Sequence, residues 1–104
     1  MSIRNLGSYA QGVDERIAYL VVTTNWGGSP TSPSAVAKSF DPLTRQYTDV
    51  TATVFPANSP TVSGDTITLS LLRSLTAGVQ YRIEVQFTAG GNLFECYFTV
   101  NAEQ

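Results

Sequence analysis

The stretch YRIEVQFTAGGNLFECYFTV, Tyr81 to Val100, carries the reading that decides the fold. Gly90 and Gly91 at its centre suit a two-residue hairpin turn, because both central positions of such a turn need positive φ. Counting outward sets Ala89 opposite Asn92, Phe87 opposite Phe94, Val85 opposite Cys96, Ile83 opposite Phe98 and Tyr81 opposite Val100. Those apolar pairs share one face. Thr88 with Leu93, Gln86 with Glu95, Glu84 with Tyr97 and Arg82 with Thr99 share the other. A slip of one residue would turn every side chain to the wrong face, so the pattern and the turn specify the same register.

Other strands are read on either side of this hairpin. TVSGDTITLSLL (Thr61 to Leu72) holds a Ser-Gly-Asp turn, then Ile67, Leu69 and Leu71 on one face against Thr66, Thr68 and Ser70. DVTATVF (Asp49 to Phe55) alternates Val50, Ala52 and Val54 with threonines and predicts a strand closed by Pro56. SAVAKSF (Ser34 to Phe40) predicts another, ended by a turn at Asp41 and Pro42, and RIAYLVVTT (Arg16 to Thr24) reads as a strand from its length and β-branching. NWGGSPTSPS (Asn25 to Ser34) reads as a loop around Trp26. Residues 1–15, polar with Ile3, Leu6 and Tyr9 three apart, are set off as an N-terminal arm, and residues 16–104 as the domain proper. About seven short strands and no sustained helical period predict an all-β antiparallel sandwich, with a closed OB-type barrel as the competing architecture.

The composition narrows the chemistry. A chain of 104 residues makes a single domain, and six basic against eight acidic residues leave no cationic cluster for nucleic acid or an anionic membrane. The absence of histidine removes Ser-His and Cys-His nucleophiles and histidine metal sites. Cys96, the only cysteine, excludes an intrachain disulfide and falls on the inward face, where a buried inert thiol is expected. Glu84 and Glu95 share the outward hairpin face but lack the cleft that would part their pKa values. Asp41, Asp49 and Asp65 occupy separate turns without calcium-loop spacing. The Gly pairs at 27–28 and 90–91 lack the helix and Lys of a phosphate loop. The reading is no enzyme, no cofactor and no metal. MSIRNLGSYAQGVDER has no apolar core of a signal peptide, which points to synthesis in the cytoplasm without export.

Leu75, Gly78 and Tyr81, just before the alternating Ile83, Val85 and Phe87, resemble the corner that opens strand F of fibronectin type III and related immunoglobulin-like sandwiches. There the tyrosine hydroxyl bonds back to the loop backbone, and Gly78 suits the turn. The longer segment from Tyr47 to Val100 is similar to small immunoglobulin-like structural proteins of phages and prophages, of the tail-fibre adaptor or neck type. It shares with them the DVT strand, the SG-T-I-T strand, LTAG before Tyr81 and the Gly-Gly hairpin. That resemblance implies an immunoglobulin-like (fibronectin type III-like) fold and a virion component acting by protein–protein contact. The expected partners are other virion or structural proteins, or further copies of the chain.

Three places are expected to make contacts. Ile3, Leu6 and Tyr9 of the arm can dock on a neighbour as a strand or short helix. Leu93 and Tyr97 form a small apolar spot on the outer hairpin face. Trp26 either anchors an interface or folds back to plug one end of the sandwich. A carbohydrate-binding module, with Trp26 and Tyr97 stacking on a glycan, is the alternative function.

Overall fold

The computed structural model describes residues 4–104, so the contact expected of Ile3 lies outside the described residues. The chain forms β1 (Arg4–Gly12), β2 (Leu20–Val22), a 3-10 turn (Thr24–Trp26), β3 (Thr31–Asp41), β4 (Gln46–Asp49), α1 (Thr51–Val54), β5 (Thr61–Ser63), β6 (Thr66–Thr68), β7 (Gln80–Ala89) and β8 (Asn92–Glu103). Two separate sheets result, one ordered β1-β8-β7-β3-β4 and the other β2-β6-β5. The architecture is all-β and open-edged, not a closed barrel. It is not wholly antiparallel either, because β1 runs parallel to β8.

The β7–β8 hairpin pairs in the expected register throughout, from Ala89 opposite Asn92 to Tyr81 opposite Val100. Gly90 and Gly91 both take positive φ, at 57° and 81°, as a tight two-residue turn requires. Tyr81, Ile83, Val85, Phe87, Cys96, Phe98 and Val100 are all buried and meet Val21, Ile67, Leu69 and Leu72 across the sandwich. Burial drives this pairing, since each strand places an apolar row inside and a polar row outside. Burial also pushes the Cys96 thiol up to about 11, so at neutral pH it is protonated and unreactive.

At the corner before β7, Thr76 N–H donates to the Tyr81 hydroxyl oxygen at 2.8 Å. Leu75 is buried beneath the loop and Gly78 takes φ 81°. Without the phenol, the Thr76 N–H would lose its partner in the folded state. Tyr81→Phe is expected to cost about 1–3 kcal/mol, read as a fall in the urea midpoint. A change below about 0.5 kcal/mol would mean that water replaces the hydroxyl without penalty.

Three expectations are corrected. DVTATVF is not a strand: β4 stops at Asp49, and residues 51–54 make one helical turn. Asp49 Oδ1 accepts from both the Thr51 hydroxyl (2.7 Å) and the Thr51 N–H (2.9 Å), while the Thr51 hydroxyl oxygen accepts from Ala37 N–H (3.0 Å). The ladder keeps one more backbone bond, from Val50 N–H to Ala37 O at 2.9 Å, and the Thr51 hydroxyl takes the place of the return bond; the chain then bends, so that Val54 and Phe55 are both buried. The Thr51 hydroxyl, then its N–H and the Lys38 charge, hold the Asp49 carboxyl below its usual value.

The second correction concerns Leu71, which is exposed, while Leu72 takes the buried place. A lone bridge between Ile17 and Leu72 shifts the alternation beyond β6, and the strand expected from Arg16 to Thr24 is regular only over Leu20–Val22.

The third concerns the N-terminal arm, whose residues 4–12 are an edge strand of the large sheet. They pair with residues 96–103 through a bulge between Asn5 and Ser8. Gln11 is fully buried in this strand. Its Nε2 donates to Leu72 O at 2.7 Å and Glu15 O at 3.0 Å, and its Oε1 accepts from the Tyr19 hydroxyl at 3.0 Å. Burial, with the Glu15 carboxylate and Tyr9 beside it, raises the Tyr19 phenol above its ordinary value.

Candidate interaction surface

The outward row of the large sheet is set by the register of four strands. Arg82 of β7 stands opposite Thr99 of β8 and Lys38 of β3. Glu84 stands between Tyr97 and Val36, and Phe40 opposite Tyr47 of β4. All of these side chains point away from the second sheet, because their neighbours Ala35, Ala37, Ile83, Val85, Cys96 and Phe98 fill the core.

The guanidinium of Arg82 lies over the Tyr97 ring at 3.9 Å from its centroid and 5.9 Å from that of Tyr47. Tyr47 in turn packs on Phe40, with ring centroids 5.0 Å apart. Glu84 holds the arrangement from below: Arg82 Nε is 2.9 Å from its Oε2, and Lys38 Nζ is 3.1 Å from its Oε1. The Arg82 contact is an ion pair rather than an aligned hydrogen bond, since the Nε–H finds no acceptor along its own direction. Each such partly exposed pair contributes little alone, about 0–1 kcal/mol, but together they hold the guanidinium over the Tyr97 ring. A rigid Tyr–Arg–Tyr–Phe cluster pays little side-chain entropy when a partner covers it.

Of the residues expected to make contacts, Tyr97 belongs to this cluster, and Leu93, half exposed, lies farther along the same outward row. Leu6 and Tyr9 do not join them. Leu6 packs against the core, and Tyr9 meets Phe98 edge-on with centroids 5.7 Å apart and Tyr19 at 5.7 Å, while remaining 46% exposed. The N-terminal row thus closes one margin of its own sandwich.

Trp26 is half-buried, with its ring centroid 5.5 Å from Phe87 and 6.5 Å from Phe94. Asp65 seats its loop: Thr23 N–H and hydroxyl both donate to Asp65 O, Thr24 hydroxyl donates to Oδ2 and Ser29 N–H to Oδ1. The indole plugs the hairpin end of the core. Both ring contacts are tilted, with interplanar angles of 53° to Phe87 and 33° to Phe94.

The carboxylates resolve into structural roles. Glu95 accepts from Gln86 Nε2 at 2.6 Å, Glu84 is held by its two cations, and Asp41 Oδ1 accepts from Leu43 N–H in its turn. Among the described residues no group of three or more His, Cys, Asp or Glu is placed to hold a metal ion, and no helix is long and apolar enough to cross a membrane. A hollow bounded by Val13, Asp14, Glu15, Arg16, Arg73 and Ser74 mixes both charge signs and opens to solvent.

No family model matches the chain, and no curated protein matches it. The surface stands on its own chemistry. The sequence alone places Arg82 on the outer hairpin face and does not bring Tyr47, Phe40 and Lys38 to it. The hairpin register alone puts Arg82 diagonal to Tyr97, which was a usable signal. Tyr47 and Phe40 join only through the β3–β7 and β3–β4 pairings, which the sequence does not register.

Proposed function

We propose that this chain is a non-enzymatic immunoglobulin-like module that works by protein–protein contact through the Arg82 face of its large sheet. The observation that carries the reading is the fixed cluster of Arg82, Tyr97, Tyr47 and Phe40 on an outward face. Tyrosine and arginine are the residues that most often dominate binding energy at protein interfaces.

The strand order supports the immunoglobulin-like assignment. β2-β6-β5 corresponds to strands B, E and D, β3-β7-β8 to C, F and G, and β4 to the added C′ strand of variable-type domains. Tyr81 then occupies the corner of strand F, and Ile83, two residues on, stands where antibody domains carry the second cysteine of their inter-sheet disulfide. The setting proposed is a phage or prophage virion, as a tail, neck or fibre adaptor, supported by the resemblance of residues 47–100.

Co-expression with the products of the neighbouring genes, followed by capture on the tagged chain, tests the reading. Wild type is expected to retain one of those products, and Tyr47→Ala and Arg82→Ala to weaken retention about 30-fold, the effect of losing an interface anchor. Thermal melts of both variants serve as the folding control. Equal retention by parent and variants, or none by the parent, would sink the proposal.

A further inference from the structure

Among the described residues the two sheets end in four edge strands, β1, β4, β2 and β5. Natural sheets blunt such edges with bulges, charges or proline, because unpaired peptide groups invite another strand. Here β1 carries its bulge between Asn5 and Ser8, β4 follows Arg45 and ends on Asp49, and β5 follows Pro60. β2 has none of these. The segment AYLVVTT, Ala18 to Thr24, contains no charge and no proline.

The hydrogen-bonding phase of β2 is fixed by its neighbours. Leu69 N–H donates to Tyr19 O at 2.9 Å, and Thr23 N–H donates to Asp65 O at 2.8 Å. Along an antiparallel strand alternate residues address the same neighbour, so the peptide groups of Tyr19, Val21 and Thr23 face β6. Those of Leu20 and Val22 face the open edge. Their side chains stand on the outer face of the small sheet, 62% and 61% exposed.

We propose that β2 is a two-fold pairing edge that takes a second copy of this chain. Antiparallel pairing centred on Val21 sets Leu20 opposite Val22 of the second copy, and Val22 opposite its Leu20. Both are outward-bonding positions, so each pair exchanges N–H···O bonds in both directions. The same register makes two apolar cross-strand contacts on the outer face, where each single sheet leaves Leu20 and Val22 in water. The edge is thus complementary to itself, which a closed two-fold interface requires.

Electrostatics put little in its way at the strands themselves. Each copy carries a formal charge of −2, yet the meeting strands bring no charged side chain together. The pairing joins the two small sheets into one continuous sheet and leaves both Arg82 faces uncovered. It rests on the contact-protein reading in one respect: an edge this short is weak alone and is populated where many copies are held close together.

Sedimentation of the full chain over a concentration series up to about 1 mM tests the pairing, alongside Val22→Lys and Leu43→Lys. The parent is expected to form a concentration-dependent dimer, and Val22→Lys to raise its dissociation constant about tenfold or more. Leu43 is 93% exposed in the β3–β4 turn, so non-specific apolar association would respond to Leu43→Lys and edge pairing would not. Amide exchange on the unaltered chain needs no variant: Leu20 and Val22 should slow in step with the dimer fraction. A monomer throughout, a dimer indifferent to Val22→Lys, equal sensitivity to Leu43→Lys, or unchanged exchange at Leu20 and Val22 overturns the pairing. Any of these leaves the Arg82 capture result standing, and loss of capture leaves the sedimentation result standing.

Discussion

Phe87→Ala is expected to lower the unfolding free energy by about 3–5 kcal/mol, the range for removing a buried phenyl group from a core that closes only partly over the gap. Phe87 is fully buried at the hairpin end of β7. Its ring lies 5.5 Å from Trp26 and 5.7 Å from Phe94, so one substitution strips support from three elements: β7, β8 and the 3-10 turn. Against a total stability of about 5–15 kcal/mol for a small domain, that loss is severe. The variant's urea midpoint should fall with an unchanged slope, and Trp26 emission should shift to the red in the native baseline. A loss under about 1.5 kcal/mol would mean that Trp26 or Phe94 moves in to fill the space.

Gln11→Ala should cost about 2–4 kcal/mol for a different reason. Little apolar packing is lost, but Leu72 O, Glu15 O and the Tyr19 hydroxyl lose the amide that satisfies them, and a buried group left unpaired costs about 1–3 kcal/mol. Gln11→Glu separates this account from simple packing, because a carboxylate has no proton to donate to the two carbonyls. Burial and those carbonyls would raise its folded pKa above the unfolded value of about 4.3. The folded state then binds more protons, so stability should be highest below that value and fall as pH rises through the raised folded pKa. A flat difference from the parent between pH 4 and pH 7 would argue that the site is wet. Denaturant melts at the two pH values decide it.

These two residues also mark what was legible in the sequence. Phe87 could be placed because its register follows from Gly90-Gly91 and from a period of two that agrees on both strands of the hairpin. Tyr81 could be placed because a local turn, Leu75 and a strand start coincide within a few residues. Gln11 carries no such mark. A glutamine in a polar segment looks solvated, and it is buried only because Leu72, 61 residues away, offers its carbonyl there.

The same holds for β1 as a whole. Its alternation is broken at the bulge, and its pairing is parallel and joins opposite ends of the sequence, so no turn announces it. At α1 the alternation was real, but the Asp49–Thr51 side-chain bonds overrode it. The Arg82 face was half visible: the hairpin supplied Arg82, Glu84 and Tyr97, while Tyr47 and Phe40 required the order of the sheet.

The parallel pairing of β1 with β8 also has a mechanical side. Arg4 lies beside Cys96 and Gly12 beside Glu103, so β1 enters at one end of the sheet and β8 leaves about 23 Å away at the other. Tension drawn between entry and exit pulls these strands along their length in opposite directions. The ladder is then loaded in shear, with its rungs sharing the force, rather than peeled open one at a time. A module strung in a line under load would resist at this seam first, and the bulge between Asn5 and Ser8 is where the seam has fewest rungs to share the strain.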